Sequence, residues 1–236
     1  MITKEYIKKL VEKGTPEAIS VHQSVAQSSK ERFDNIISQL VASAYLEHDI
    51  VQTAVYLTQL IIEHLNYNQA ISSIENFEST TRNVQIISAY RELERLVFPE
   101  REIEEVLIEK TIDISDMPIL LSPWKGHRVL SNMFLINDEN PLDGKRYNYN
   151  VINSYVKPLN VLMCESANHS QLAARYKKLG KTFIAEEFDI SDLYDKVEYD
   201  GIGFRPIGAD EYFSLEASDD ELFYAGVLFE LGRLNL

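Results

Sequence analysis

Three consecutive polar residues, Asn168, His169 and Ser170, lie where an apolar strand pattern changes into a helical pattern. The stretch 159–180 begins as Leu-Asn-Val-Leu-Met-Cys and continues as a helix that ends near Gly180. The first turn of a helix has unpaired backbone N–H groups and the positive end of the helix dipole, which hold phosphate or carboxylate groups. The sequence therefore predicts an anion site at this helix start.

Within this stretch, individual residues have specific expected roles. Asn168 is expected to cap the helix, with Gln171 completing a capping box. His169 is a candidate ligand contact and, if the protein is an enzyme, the candidate catalytic general base. Arg175, in the same helix, is a further candidate ligand-binding residue. Cys164 falls within the strand, where we expect a small buried hydrophobe.

A second basic cluster occupies residues 122–128, with the sequence Ser-Pro-Trp-Lys-Gly-His-Arg. Lys125, His127 and Arg128 are candidate ligand-binding residues, because an aromatic face beside several donors can stack a base and bind its phosphate. The alternative is a solvated turn in which Trp124 anchors the two halves of the chain.

The distribution of charge supports an anionic ligand in this part of the chain. The formal net charge is -14, yet residues 118–182 hold nine Lys and Arg against four Asp and Glu. Some of these lysines also complement the negative end of the predicted helix. A strongly acidic chain repels the phosphate backbone, so a nucleic-acid partner bound over the whole surface is not expected.

Composition indicates an ordinary globular protein. The chain has 236 residues, of which 45% are hydrophobic and 25% charged. The single cysteine cannot form an intramolecular disulfide or a cysteine-based zinc site, so no metal site is predicted from cysteine. No apolar stretch approaches the length of a membrane span. We expect a cytoplasmic protein without a membrane segment.

Hydrophobic spacing divides the chain into two predicted parts. Residues 1–112 read as a helical bundle that mediates self-association or partner contact, and residues 113–236 read as a mixed α/β domain, giving an α+β fold class. Thr15 and Pro16 resemble a helix start. Helices are predicted near 31–47, 49–65, 80–97, 100–110, 148–156, 168–179, 190–196 and 219–231, and strands near 118–121, 129–136, 159–164 and 182–188.

The central stretch resembles the ParB/sulfiredoxin-like fold. The matching segments are Pro-Leu-Asn-Val-Leu at 158–162, Ala-Asn-His-Ser-Gln-Leu-Ala-Ala at 167–174 and Leu-Gly-Lys-Thr-Phe-Ile-Ala-Glu-Glu at 179–187. In that family a proline-led strand precedes a Gly-x-[His/Arg]-Arg-x-x-Ala helix start. The resemblance covers about 118–190 and implies that His169, Ser170 and the backbone around Asn168 bind nucleotide phosphates.

The sequence also departs from that family at positions that matter for chemistry. Ala167 replaces the usual glycine, and Ser170 replaces an arginine that would donate two hydrogen bonds to a phosphate. Asn168 aligns with the cysteine that makes sulfiredoxin an enzyme. We therefore expect the ligand-binding geometry of the family without sulfinic acid reduction.

The leading hypothesis is a bacterial or phage protein that binds a phosphate-containing small molecule. The cofactor is left open, and a nucleotide with Mg²⁺ is one candidate. One alternative is a metal-dependent phosphodiesterase or nuclease-like enzyme, in which an acid such as Asp189 holds the metal. Another is a non-enzymatic accessory or defence-associated factor whose acidic surface contacts a protein partner. Under the leading hypothesis, the helical half mediates contact with a partner or a second copy. The sequence leaves open whether any reaction is catalysed.

Overall fold

The computed structural model describes residues 21–43, 47–76, 85–101 and 106–236. Within these ranges, three long helices come first. They confirm the helical patterns in the described part of the N-terminal half, whereas the helix start predicted at Thr15 and Pro16 lies outside the described residues. These helices are α1 Val21–Ser43, α2 Glu47–Glu75 and α3 Gln85–Val97.

The remainder of the described chain mixes strands with shorter helices, which confirms a mixed α and β composition. The strands are β1 Val106–Asp113, β2 Ile119–Leu120, β3 Leu142–Asp143, β4 Asn153–Lys157, β5 Val161–Cys164, β6 Gly180–Asp189, β7 Val197–Tyr199 and β8 Phe204–Pro206. The helices are α4 Gly126–Leu135, α5 Asn168–Lys177 and α6 Asp219–Arg233, with a 3-10 helix at Ser191–Asp195.

Six of the strands form one mixed sheet in the order β1-β6-β4-β5-β2, with β3 pairing with the start of β6. The central strand β4 is antiparallel to β5 and parallel to β6. The unit β5-α5-β6 predicted from the sequence is therefore present, and β4 lies between its two strands. Strands β7 and β8 form a separate hairpin, which the sequence did not predict.

Two hydrophobic cores lie on opposite faces of the sheet. Along β5, Val161 and Met163 belong to one core and Leu162 and Cys164 to the other, as the alternation of side chains in a strand requires. The first core also contains buried residues of α1, α2, α3 and α6, so both halves of the chain contribute to it. The second core joins the sheet to α4 and α5.

Three element predictions are wrong. The helix expected at 100–110 is contradicted over residues 106–110, which belong to β1. This strand pairs antiparallel with β6 through an irregularity between Leu107 and Lys110, where Glu109 has a φ of 49°. The glutamates at 100–105 favour a helix locally. Pairing with the long neighbouring strand outweighs that preference.

The strand expected at 129–136 is the helix α4. Its apolar residues Val129, Leu130, Met133 and Phe134 have helical spacing, with Val129 buried and Phe134 83% exposed. The helix expected at 148–156 is instead a turn followed by β4. The hydrogen-bonding partners of β4 belong to β5 and β6, and β6 lies about thirty residues away in sequence, so no local pattern reveals them.

At the other end of the chain, α6 begins as its sequence indicates. The Ser218 side chain accepts a bond from the N–H of Glu221, and the Glu221 side chain accepts one from the Ser218 N–H. This is a complete capping box. Over the described ranges, the helices are either too short or too polar to cross a membrane.

Candidate functional site

The loop from Leu121 to Lys125 is held between α2 and the start of α5. Asn66 of α2 is fully buried; its side chain donates to the Ile119 carbonyl at 2.8 Å and accepts from the Leu121 N–H at 2.7 Å. Gln69, one turn further, donates to the Pro123 carbonyl at 3.2 Å. Two amides of a helix in the N-terminal half therefore fix the backbone of this loop.

These two amides were not predicted from the sequence. Asn66, Gln69 and Ser73 are all buried, at spacings of three and four residues, on a helix face that is otherwise apolar. A buried polar side chain needs a hydrogen-bonding partner. Polar residues on the buried face of α2 therefore indicated that polar backbone groups pack against this helix.

The start of α5 differs from the prediction. Ala167 is the N-cap residue, in the left-handed conformation with φ 58°, and no side chain caps the helix. Asn168 is the first helical residue, and its buried side chain accepts a hydrogen bond from the Ser122 N–H at 2.5 Å. The predicted capping role of Asn168 is therefore wrong, because its side chain holds the neighbouring loop.

Gln171 likewise has no capping role, because it lies too far into the helix and points into the second core. Its amide nitrogen donates to Asn153 Oδ1 at 3.1 Å and to the Ser166 carbonyl at 3.0 Å. Thr182 donates to its amide oxygen. This buried network joins α5 to β4 and β6, and full hydrogen bonding makes it a stabilising one.

His169 is buried against the same loop. Its Nε2 accepts the Lys125 N–H at 3.2 Å, and its ring lies 4.7 Å from the Trp124 ring between centroids. Burial lowers the pKa of His169 to about 4, and the charges of Arg128, His127 and Lys125 act in the same direction. The imidazole is therefore neutral at pH 7, with its Nε2 lone pair already used.

Helices α4 and α5 pack against each other. From the start of α5, Ser170 Oγ donates to Asn132 Oδ1, in the second half of α4, at 2.8 Å. From the end of α5, Lys177 Nζ donates to the carbonyls of Met133 and Ile136, the latter at 2.7 Å. The bond from the Lys125 N–H to His169 Nε2 joins the two N-termini, because Lys125 is the N-cap residue of α4 and His169 lies in the first turn of α5.

Neither of these two N-termini has a side-chain cap. The N-cap residue of α4 is Lys125, in an extended conformation, and that of α5 is Ala167. His127 and Arg128, in the first turn of α4, are exposed, and Lys125 is partly buried. Two helix dipoles and these basic side chains thus combine into one region of positive potential.

Arg175 does not belong to this region. Its side chain is nearly buried, and it donates to Glu63 Oε1 at 2.6 Å and to the carbonyls of Ile114 and Met117. These bonds join α5 to α2 and to the loop before β2. The structure therefore brings Lys125, His127, Arg128 and residues 168–170 together and places Arg175 elsewhere, as a structural residue.

The comparisons with known proteins identify one family. The profile of DUF6710, a family of unknown function, matches residues 18–236. The chain belongs to this family. Neither the curated proteins nor the solved structures contain a match.

The other residues of this DUF6710 protein that could act as a nucleophile or bind a metal have structural roles. Cys164 is buried in β5, and burial raises the pKa of its thiol well above the usual range. The acidic residues around β6 and β7 mostly have basic partners. The pairs are Glu186 with Arg91, Glu187 with Lys157, Asp192 with Arg101, and Glu198 with Arg205. In the described part of the chain, no group of three or more His, Cys, Asp or Glu could hold a metal ion.

Proposed function

We propose that the protein binds a phosphate-bearing small molecule at the adjoining N-termini of α4 and α5. The observation that carries this proposal is that α4 and α5 begin next to each other, joined by the bond between Lys125 and His169, and that neither start has a side-chain cap. Unpaired N–H groups at a helix start need acceptors, and a phosphate oxygen is a suitable one. We call this region the paired N-terminal site.

The surrounding charges favour the same class of ligand. Arg128 and His127 are exposed, and no ion pair with another described residue engages either side chain. A guanidinium binds a phosphate through two parallel hydrogen bonds. In an acidic protein with a net charge of -14, a local concentration of positive groups is where an anion would be attracted.

A buried hydroxyl beside the site is a further observation in favour. Ser122 is 3% exposed, and its Oγ has no hydrogen-bonding partner among the described residues. Its own backbone N–H is bonded to Asn168, so it lies next to the start of α5. Buried polar groups are normally satisfied, and an unsatisfied one at a site indicates a missing partner.

The sequence resemblance supports a nucleotide among phosphate ligands. In the ParB/sulfiredoxin-like fold, which residues 118–190 resemble, the corresponding helix start binds nucleotide phosphates. The side chains of Asn168 and His169 are used within the protein here, so the ligand contacts assigned to this chain are backbone N–H groups together with Arg128, His127 and Lys125.

Calorimetric titration tests the proposal. Inorganic phosphate, nucleoside triphosphates and cyclic nucleotides would be titrated into the protein with and without magnesium. Arg128→Glu should weaken binding at least tenfold, because it replaces an exposed donor by a repelling carboxylate. Arg146→Glu is the matched control, since Arg146 is also exposed but lies in the turn after β3.

Two results would contradict the proposal. One is the absence of binding for every phosphate ligand at millimolar concentration. The other is binding that Arg128→Glu and Arg146→Glu weaken equally, which would indicate general charge attraction. A bound dianion should also raise the pKa of His169 above its value in the ligand-free protein, because the ligand offsets the positive charges that help to lower this pKa. NMR of the imidazole ring measures that change.

A further inference from the structure

The helix α2 has an exposed face with almost no charge. Between Ile50 and Ile74 its only charged residue is Glu63, whereas 25% of all residues in the chain are charged. Glu63 forms an ion pair with Arg175 at 2.6 Å, so its charge is compensated within the protein. The exposed face of a helix in water is normally rich in charged residues. This face is unusual for a solvated surface.

Large apolar side chains form a stripe along this face. Tyr56 is 58% exposed, Leu60 67%, Tyr67 46% and Ile71 55%. Their spacings of four, seven and four residues place them on one side of the helix over about 22 Å. Asn66, which faces the loop of the paired N-terminal site, lies about 110° away from the stripe around the helix. One helix thus positions that site and exposes an apolar surface.

The order of residue types in the stripe is self-complementary. Suppose that a second α2 lies antiparallel, with a two-fold axis between Glu63 and His64. Each residue before this point then lies beside the partner residue that follows the point by the same number of positions. Tyr56 then faces the partner's Ile71, and Leu60 faces the partner's Tyr67. Both pairs are apolar. An interface around a two-fold axis requires this kind of reciprocal match.

The apolar surface continues from α2 onto α1. A groove of about 470 Å³ lies between the two helices, and its lining includes Ile36, Leu40, Tyr56 and Leu60. All nine lining residues are uncharged. Interface cores are poor in charged residues and rich in aromatic ones.

These observations favour one occupant. Two copies that each carry a net charge of -14 repel one another over most of their surfaces. The uncharged face is a place where two copies can meet without opposing like charges. We propose that the protein forms a two-fold dimer in which α2 packs antiparallel against α2 of a second copy, with Tyr56, Leu60, Tyr67 and Ile71 at its centre.

Sedimentation equilibrium of the full chain tests this dimer. The wild type should sediment as a dimer, and Leu60→Glu should weaken dimerisation at least tenfold, because it places a carboxylate against an aromatic ring at two related positions. Leu60 is largely exposed, so the variant should fold normally. Leu107→Glu is the control, since Leu107 is 76% exposed but lies on β1.

Crosslinking tests the direction of packing. The native Cys164 is buried, so an introduced surface cysteine is the reactive one. His64→Cys lies at the proposed axis and should form a disulfide with its copy, whereas the two copies of Gln52→Cys would be about 35 Å apart. Parallel packing would crosslink both variants.

Several outcomes would overturn the dimer. They are a monomeric wild type, a dimer that survives Leu60→Glu, and crosslinking of Gln52→Cys as efficient as that of His64→Cys. A monomer that captures another protein through this face would also overturn it. Loss of phosphate binding would not bear on this test, because the apolar face and the paired N-terminal site are different surfaces.

Discussion

Acidification should destabilise the folded protein through His169. The pKa of this histidine is lowered to about 4 in the folded protein, compared with a usual value of 6.5. The unfolded chain therefore takes up a proton first as the pH falls below about 6.5, and the loss of stability stops near pH 4. Below pH 6.5 the free energy of unfolding should fall by up to about 1.4 kcal/mol per pH unit.

The structure gives the size of the effect. His169 is 5% exposed, its Nε2 accepts the Lys125 N–H, and basic side chains surround it, so a protonated ring would lose a hydrogen bond and meet like charges. Between pH 7 and pH 5 the contribution of this one group should be roughly 2 kcal/mol. This is a large part of the stability of a typical domain.

Urea unfolding at several pH values measures this contribution. Trp124 is the only tryptophan and contacts His169, so its fluorescence reports on this site. His169→Gln is the comparison, because an amide oxygen can accept the Lys125 N–H and cannot be protonated in this range. The wild type should lose roughly 2 kcal/mol more than the variant between pH 7 and pH 5. Carboxylates that titrate in the same window affect both proteins alike.

Equal losses of stability in the wild type and His169→Gln over this range would contradict this role of His169. A titration midpoint near 6.5 for His169, measured by NMR of the folded protein, would have the same meaning. Either result would show that the ring is solvated or that the basic side chains lie farther away.

Three substitutions test how α2 positions the site. Asn66→Ala should lower the free energy of unfolding by about 2–4 kcal/mol, because it leaves two buried backbone groups unpaired, and the exposed Asn68→Ala should lower it by under about 0.5 kcal/mol. Gly126→Ala should cost about 2 kcal/mol or more in urea unfolding, because a Cβ would lie 2.5 Å from a backbone oxygen of α2. Gly208→Ala is the control: its added Cβ would have no atom within 4 Å, so the only cost is that of the positive φ, about 1 kcal/mol. Arg175→Ala should cost about 3 kcal/mol by leaving a partly buried carboxylate unpaired, and calorimetry should show unchanged phosphate affinity for the folded fraction. Equal effects of the two asparagines, a neutral Gly126→Ala, or selective loss of phosphate binding in Arg175→Ala would each contradict this account.

Local sequence was sufficient for elements whose signals lie within a few residues. The helix α6 begins at Ser218 because its capping box is formed by residues three positions apart. The unit from β5 through α5 to β6 is also visible locally, since an apolar run, a helical pattern and a glycine follow one another. In such segments the interactions that select the structure are neighbours in sequence.

Elements that depend on distant partners were misassigned. Glutamates at 100–105 favour a helix that would continue to residue 110, yet residues 106–113 become β1 by pairing with β6. Asn153 and Ser154 look unsuited to a buried strand, but bonds to Thr182 and to two glutamates satisfy their side chains. Pairing and hydrogen bonding with distant segments supply the free energy that local preference lacks.

In the candidate site, too, some properties follow from local sequence and others from contacts between distant segments. The sequence by itself determined the type of chemistry, because basic residues and a helix start at 168–170 define a region suited to anions, and the charge pattern places it in an acidic chain. Only the tertiary structure decided which groups remain available. Packing against α2 and α4 turned Asn168, His169 and Arg175 inward, while it left the backbone of two helix starts and the side chain of Arg128 at the surface, because buried polar groups must first satisfy one another.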